Sequence, residues 1–153
     1  MKSLLISASV AFILMSCNIK SDNGISFNMA PKEGKGIIKT QEFVKDFDEI
    51  KVAQSISAEV VKSDTEKVVI TAPSDIMEDI LVDNVDGKVF IHFKPNMNIS
   101  AKNIAAKVFV RDFTHLEATS AAKILVKDKF TQDKTDVEVS SSGRITGNLE
   151  AND

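Results

Sequence analysis

The apolar positions of the chain fall into two regimes. Residues 4–15, "LLISASVAFILM", form one uncharged block behind the basic start Met1-Lys2-Ser3, with neither a polar face nor a helical stripe. From Ile37 the pattern changes to short runs in which Val and Ile alternate with polar residues: "IIKTQEF" (37–43), "EIKV" (49–52), "ISAEVV" (56–61) and "KVVITA" (67–72). A period of two sends successive side chains to opposite faces, so these runs predict half-buried β-strands. In "ILVDNVDGKVFIHF" (80–93) two such runs flank Asp86-Gly87, a dipeptide suited to a two-residue turn with positive φ at both positions. There the pattern predicts a hairpin with Val89, Ile91 and Phe93 on one face and Phe90 and His92 on the other. "AAKVFVRDF" (105–113) continues the series. Only "SDIMEDIL" (74–81) predicts a helix, with Ser74 as cap, Asp75 and Glu78 in the first turn, and Ile76 and Ile80 four apart.

The N-terminal block reads as an export signal. A basic start, an apolar run of about a dozen residues and the small residue Ser16 have the proportions of a secretory signal peptide, and the run is shorter than the roughly 20 residues a membrane span needs. The tetrapeptide "LMSC" (Leu14–Cys17) resembles the bacterial lipobox. That resemblance implies cleavage between Ser16 and Cys17, diacylation of the Cys17 sulfur and acylation of the new amino group. Each buried methylene of such chains is worth about 0.8 kcal/mol, so several chains hold a domain at a membrane. Cys17 is the only cysteine, with no second Cys to pair with and no surrounding cluster to make it a metal ligand or nucleophile. Asn18, rather than Asp, follows it, which points to the outer membrane. Residues 18–36, polar and scattered with Gly and Pro, read as a flexible tether. The expected organisation is a signal peptide (1–16), a lipidated Cys with its tether (17–35), and a β domain (36–153).

The last third repeats itself. "LEATSAAKI" (116–124) and "VEVSSSGRI" (137–145) align without gaps at an offset of 21: an apolar residue, Glu, a run of small residues, a base and Ile. A fainter echo, "FDEIKVAQSISAEV" from Phe47 against "FTHLEATSAAKILV" from Phe113, has an offset of 66, close to three such periods. Repeats of this length with short strands and small-residue corners predict an all-β, right-handed β-solenoid, a β-helix-like stack of coils with one short helix. The alternative is a β-sandwich in which two Ser/Ala-rich strands are alike by chance.

The segments "GKGIIKTQEFVKDFDEIKV" (34–52), "LEATSAAKILV" (116–126) and "VEVSSSGRITGNLEAND" (137–153) are similar to the putative auto-transporter adhesin head GIN domain family, over about residues 34–153. The "FDEI" of Phe47–Ile50 and the small-residue repeat carry the likeness, with "TSAAK" and "SSSGR" standing where Gly is more usual. The resemblance implies a secreted or lipid-anchored protein of Gram-negative bacteria with an adhesive role, and it transfers no binding residues. Members typically continue through further repeats, so a chain stopping at "NLEAND", inside what would be another coil, reads as C-terminally truncated.

Composition narrows the function classes. With 22 acidic and 19 basic residues the net charge is −3, which argues against nucleic acid or a polybasic membrane patch as partner. With no Trp or Tyr, the core must come from aliphatic side chains and nine Phe. No catalytic constellation is present: His92 and His115 lack a nucleophile or triad pattern around them. "DNVDG" (83–87) places Val82 and Phe93 at the first and last ligand positions of a calcium loop, so it reads as hairpin chemistry. "SSSG" (140–143) lacks the glycine before the serine that a nucleophile elbow requires, and "GKG" (34–36) lacks the rest of a phosphate loop. Asp46, Asp48 and Glu49 read as a solvated turn rather than a calcium site. The sequence therefore predicts no enzyme, cofactor or metal site. It predicts a lipid-anchored envelope protein, on the periplasmic or surface face, that binds glycan or protein. The alternative is a structural role through self-association of its terminal coils, with no soluble ligand.

Overall fold

A computed structural model describes residues 30–151. Eleven strands follow in chain order: β1 (Ile38–Val44), β2 (Glu49–Val52), β3 (Ser57–Lys62), β4 (Lys67–Pro73), β5 (Ile80–Val85), β6 (Lys88–Phe93), β7 (Ala105–Val110), β8 (His115–Ala118), β9 (Lys123–Gln132), β10 (Asp136–Val139) and β11 (Arg144–Ala151). They form a six-stranded sheet in the order β1-β4-β7-β3-β9-β11 and a five-stranded sheet in the order β10-β8-β2-β6-β5. The fold is all-β, with two mixed, open sheets. That arrangement is compatible with the sandwich-like alternative; a right-handed β-solenoid is a finer assignment that these sheets do not show.

The alternation read from the sequence decides which side chains enter the core. Ile50 and Val52 of β2, Leu116 and Ala118 of β8, and Val89, Ile91 and Phe93 of β6 are buried from one sheet. Val60, Val68, Ile70, Val108 and Ile124 are buried from the other, and all join one hydrophobic cluster. Full burial of a side chain of this size contributes about 1.5–3 kcal/mol. Phe113 and Phe130, ring centroids 4.8 Å apart and tilted by 58°, are among the largest fully buried side chains.

Three strand–corner–strand units lie side by side in parallel register. Glu49–Val52 pairs with His115–Ala118, which pairs with Asp136–Val139, while Ser57 stands opposite Lys123 and Lys123 opposite Arg144. The chain passes from one sheet to the other at corners that each carry two consecutive left-handed residues: Gln54 and Ser55, Ser120 and Ala121, Ser141 and Ser142. The corners also hydrogen-bond to one another, Ser55 N to Ser120 O and Ala121 N to Ser141 O, both at 2.9 Å. This corrects the reading of the longer echo. Units 66 residues apart are immediate neighbours, not three coils apart, because β6 and β7 pair with the opposite edges of β2 and β3.

The hairpin at Asp86-Gly87 forms as expected, with φ of 52° and 84° and Val85 opposite Lys88. The helix does not. Residues 74–81 contain only a 3-10 turn, Met77–Asp79, with no side-chain cap. Ile76 and Ile80 are both buried, and Ile80 already begins β5, paired with Phe93, so sheet pairing takes the residues a longer helix would need. Asp75 instead accepts hydrogen bonds from the amides of Lys35 (3.0 Å) and Gly36 (2.7 Å). Nearby, Lys32 bridges Ile99 and its ammonium meets Asp79 at 2.9 Å.

Candidate functional site

Strand register places the outward side chains in rows across each sheet. On the six-stranded sheet Thr71, Ala105, Ser57, Lys123 and Arg144 stand opposite one another in turn, and Val69, Lys107, Glu59, Leu125 and Thr146 form the next row. Ala105 and Ser57 are short, so the face dips between taller neighbours into a groove of ≈ 530 Å³ lined by both rows. Three cations, Lys107, Lys123 and Arg144, line it against one acid, Glu59, whose carboxylate lies 3.6 Å from Lys127. The cationic end follows from the repeat, since Lys123 and Arg144 fill its single basic position one unit apart.

The outward face of the five-stranded sheet has the opposite character. Asp136, His115, Glu49 and Lys88 form one row, and Glu138, Glu117, Lys51 and Phe90 the next. Lys51 meets Glu117 at 2.8 Å and stands 5.1 Å from the Phe90 ring centroid. Phe90 stacks on His92 at 4.0 Å, and His92 Nε2 meets Asp83 Oδ2 at 2.9 Å. Lys88 is held protonated above its ordinary value, first by its hydrogen bond to Glu49 and then by the charges of Glu49, Glu117 and Glu138, against the opposing effect of burial. His115 Nε2 lies 4.0 Å from Glu117 Oε2, and one ligand atom from each of His115, Glu117 and Glu138 falls within 4.8 Å of the others.

The putative auto-transporter adhesin, head GIN domain, matches residues 46–153. The chain belongs to this family. Solved structures similar in fold include a putative adhesin from Bacteroides fragilis NCTC 9343 (TM-score 0.72, 16% identity, 78% of this chain and 57% of that one). A putative adhesin from Parabacteroides merdae ATCC 43184 (TM-score 0.63, 18% identity) pairs 71% of this chain with 46% of its own. A putative lipid binding protein from Parabacteroides distasonis ATCC 8503 (TM-score 0.65, 17% identity) pairs 78% with 54%. At these identities the likeness is one of fold, and the chain spans about half the length of the structures it matches. No curated protein matches the sequence.

Within the head GIN domain the residues singled out from sequence are scattered. Ser16 and Cys17 lie outside the described residues. Asp46 and Asp48 lie in the segment between β1 and β2, and Glu49 begins β2: the amides of Asp48 and Glu49 donate to Gly87 O, the Asp46 carbonyl accepts from Asn84, and Glu49 pairs with Lys88 at 2.8 Å. His92 and His115 sit two rows and two strands apart on one face. Sequence reasoning missed the cationic groove and the grouping of His115 with Glu117 and Glu138. The 21-residue alignment holds the signal for the second, because it places Glu117 over Glu138. No helix among the described residues is long and apolar enough to cross a membrane.

Proposed function

We propose that the chain is a cell-envelope lipoprotein, anchored through Cys17 after cleavage behind Ser16, that acts as a non-catalytic adhesion module for glycan or protein. The groove on the six-stranded sheet carries this reading. Its small-residue floor admits a ligand, and Lys107, Lys123 and Arg144 favour an anionic or hydrogen-bond-accepting one, as charged side chains on an open face do. The family's adhesin label, and the adhesin and lipid-binding names of its structural neighbours, agree with a binding role. Residues 17–35 act as the tether and residues 36–153 as the presented domain. In this reading the stacked units are a short solenoidal segment, and the outer membrane is the site of anchoring.

Two measurements test it. Cys17→Ala is expected to leave the outer-membrane fraction, and a variant that still sediments there removes the anchor. Purified chain applied to a panel of glycans and envelope proteins is expected to show binding that Lys123→Glu with Arg144→Glu abolishes; binding unchanged in that variant removes the groove.

A second reading is a structural envelope role through self-association. It is favoured by β10 and β11, which are sheet edges with Val137 and Val139 half exposed and Leu149 partly so.

A further inference from the structure

We propose that His115, Glu117 and Glu138 form a binding site for a divalent transition-metal ion of the zinc class, which clamps the edge strand β10 to β8. The parallel register sets Glu117 directly opposite Glu138. Like charges in that position repel across a sheet, and a cation between them turns the repulsion into attraction. The second observation is independent of these charges. His115 Nε2 is shut off from solvent and has no hydrogen-bond partner among the described residues, although a buried ring nitrogen of this kind is ordinarily paired. It faces the Glu117 carboxylate at 4.0 Å, too far for a hydrogen bond and close enough for both to reach one ion.

The donor set decides the ion. Imidazole with carboxylates suits zinc, copper or nickel, whereas calcium takes six to eight oxygens. Bonds of about 2.0–2.2 Å place tetrahedral ligand atoms about 3.4 Å apart. The present spacing, within 4.8 Å, contracts to that by rotation of the exposed Glu138 side chain and a small closing movement of the Glu117 carboxylate and the His115 ring from their 4.0 Å separation. Lys51 is the competing cation. It occupies Glu117 Oε1 at 2.8 Å and leaves Oε2 facing His115, so the two oxygens divide between lysine and metal. Three protein ligands leave a fourth position for water or for a carboxylate or carbonyl of a bound partner.

Zinc titration of the untagged Cys17→Ala chain, stripped with chelator and followed by calorimetry at neutral pH, is expected to show one ion per chain. Zinc should also raise the thermal midpoint and slow amide exchange in β10, as a ligand of the folded state does. Glu138→Gln, isosteric and at an exposed position, keeps the fold by circular dichroism. Its affinity is expected to fall by more than about tenfold, the loss that even an outer-sphere partner can cause. His115→Asn is expected to behave alike, and His92→Asn to bind as the parent does. Absence of saturable uptake by the parent chain overturns the assignment, as does parent-like uptake in Glu138→Gln or His115→Asn.

Discussion

Each corner places backbone strain on two consecutive residues. Ser120 and Ala121 have φ of 51° and 63°, in the left-handed region that L side chains avoid at a cost of about 1–2 kcal/mol each. Glycine removes that cost and returns roughly 0.5–1 kcal/mol through its freer unfolded chain. Ala121→Gly should therefore stabilise the domain by a few tenths to about 1 kcal/mol, read as a higher urea midpoint with unchanged slope. A lower midpoint would mean that the Ala121 methyl packs well enough to outweigh its backbone. Gly147 shows the converse. With φ of 146° beside the register shift of β11, a Cβ there would lie 2.4 Å from the Val126 carbonyl oxygen. The run of small residues was legible in the sequence, whereas the handedness of the corner backbone was not. Ser and Ala leave the same trace whether a corner is extended or left-handed.

At the scale of elements, hydrophobic alternation located the strands and failed at residues 74–81. Ser74, Ile76 and Ile80 fit a helical template, yet the isoleucines are better buried by a 3-10 turn that runs directly into β5. The side chain that looked like part of a helical first turn fastens another segment. Asp75 accepts the amides of Lys35 and Gly36, which hold its carboxyl below the ordinary value of 3.8, with the Lys32 charge adding to the effect. A carboxyl lowered in the folded state stabilises it fully above the unfolded value. That contribution disappears as pH falls from about 3.8 through the lower folded value. The urea midpoint of the parent should thus exceed that of Asp75→Asn at neutral pH, and the gap should close on strong acidification. A gap independent of pH would show that the amide side chain holds these donors as well as the carboxylate does.

For the molecule as a whole, the two edges of each sheet differ. Antiparallel β1, β4 and β5 flank the β6–β7 layer at one end, while β10 and β11 are the sheet edges at the other. Val137 and Val139 sit on that edge at 49% and 50% exposure, where their counterparts Leu116 and Ala118 on β8 are fully buried. If the structural reading holds, sedimentation velocity should show concentration-dependent dimers that Val139→Lys disperses, since an inward charge blocks edge pairing; a parent that stays monomeric at high concentration sinks it. By itself the sequence determined that the chain is all-β, where most strands and the tight hairpin lie, that the last third repeats every 21 residues, and which family it resembles. Those are local or periodic properties, written in alternation and in Asp-Gly turn chemistry. Tertiary structure alone decided that the 66-residue echo joins direct neighbours, and that Lys107 shares a groove with Arg144. It also decided that His115 and Glu138 meet across a sheet. Which strand lies beside which is set by non-local hydrogen bonding and shared burial, and a single strand's pattern of inward and outward positions is the same whichever neighbour it finds.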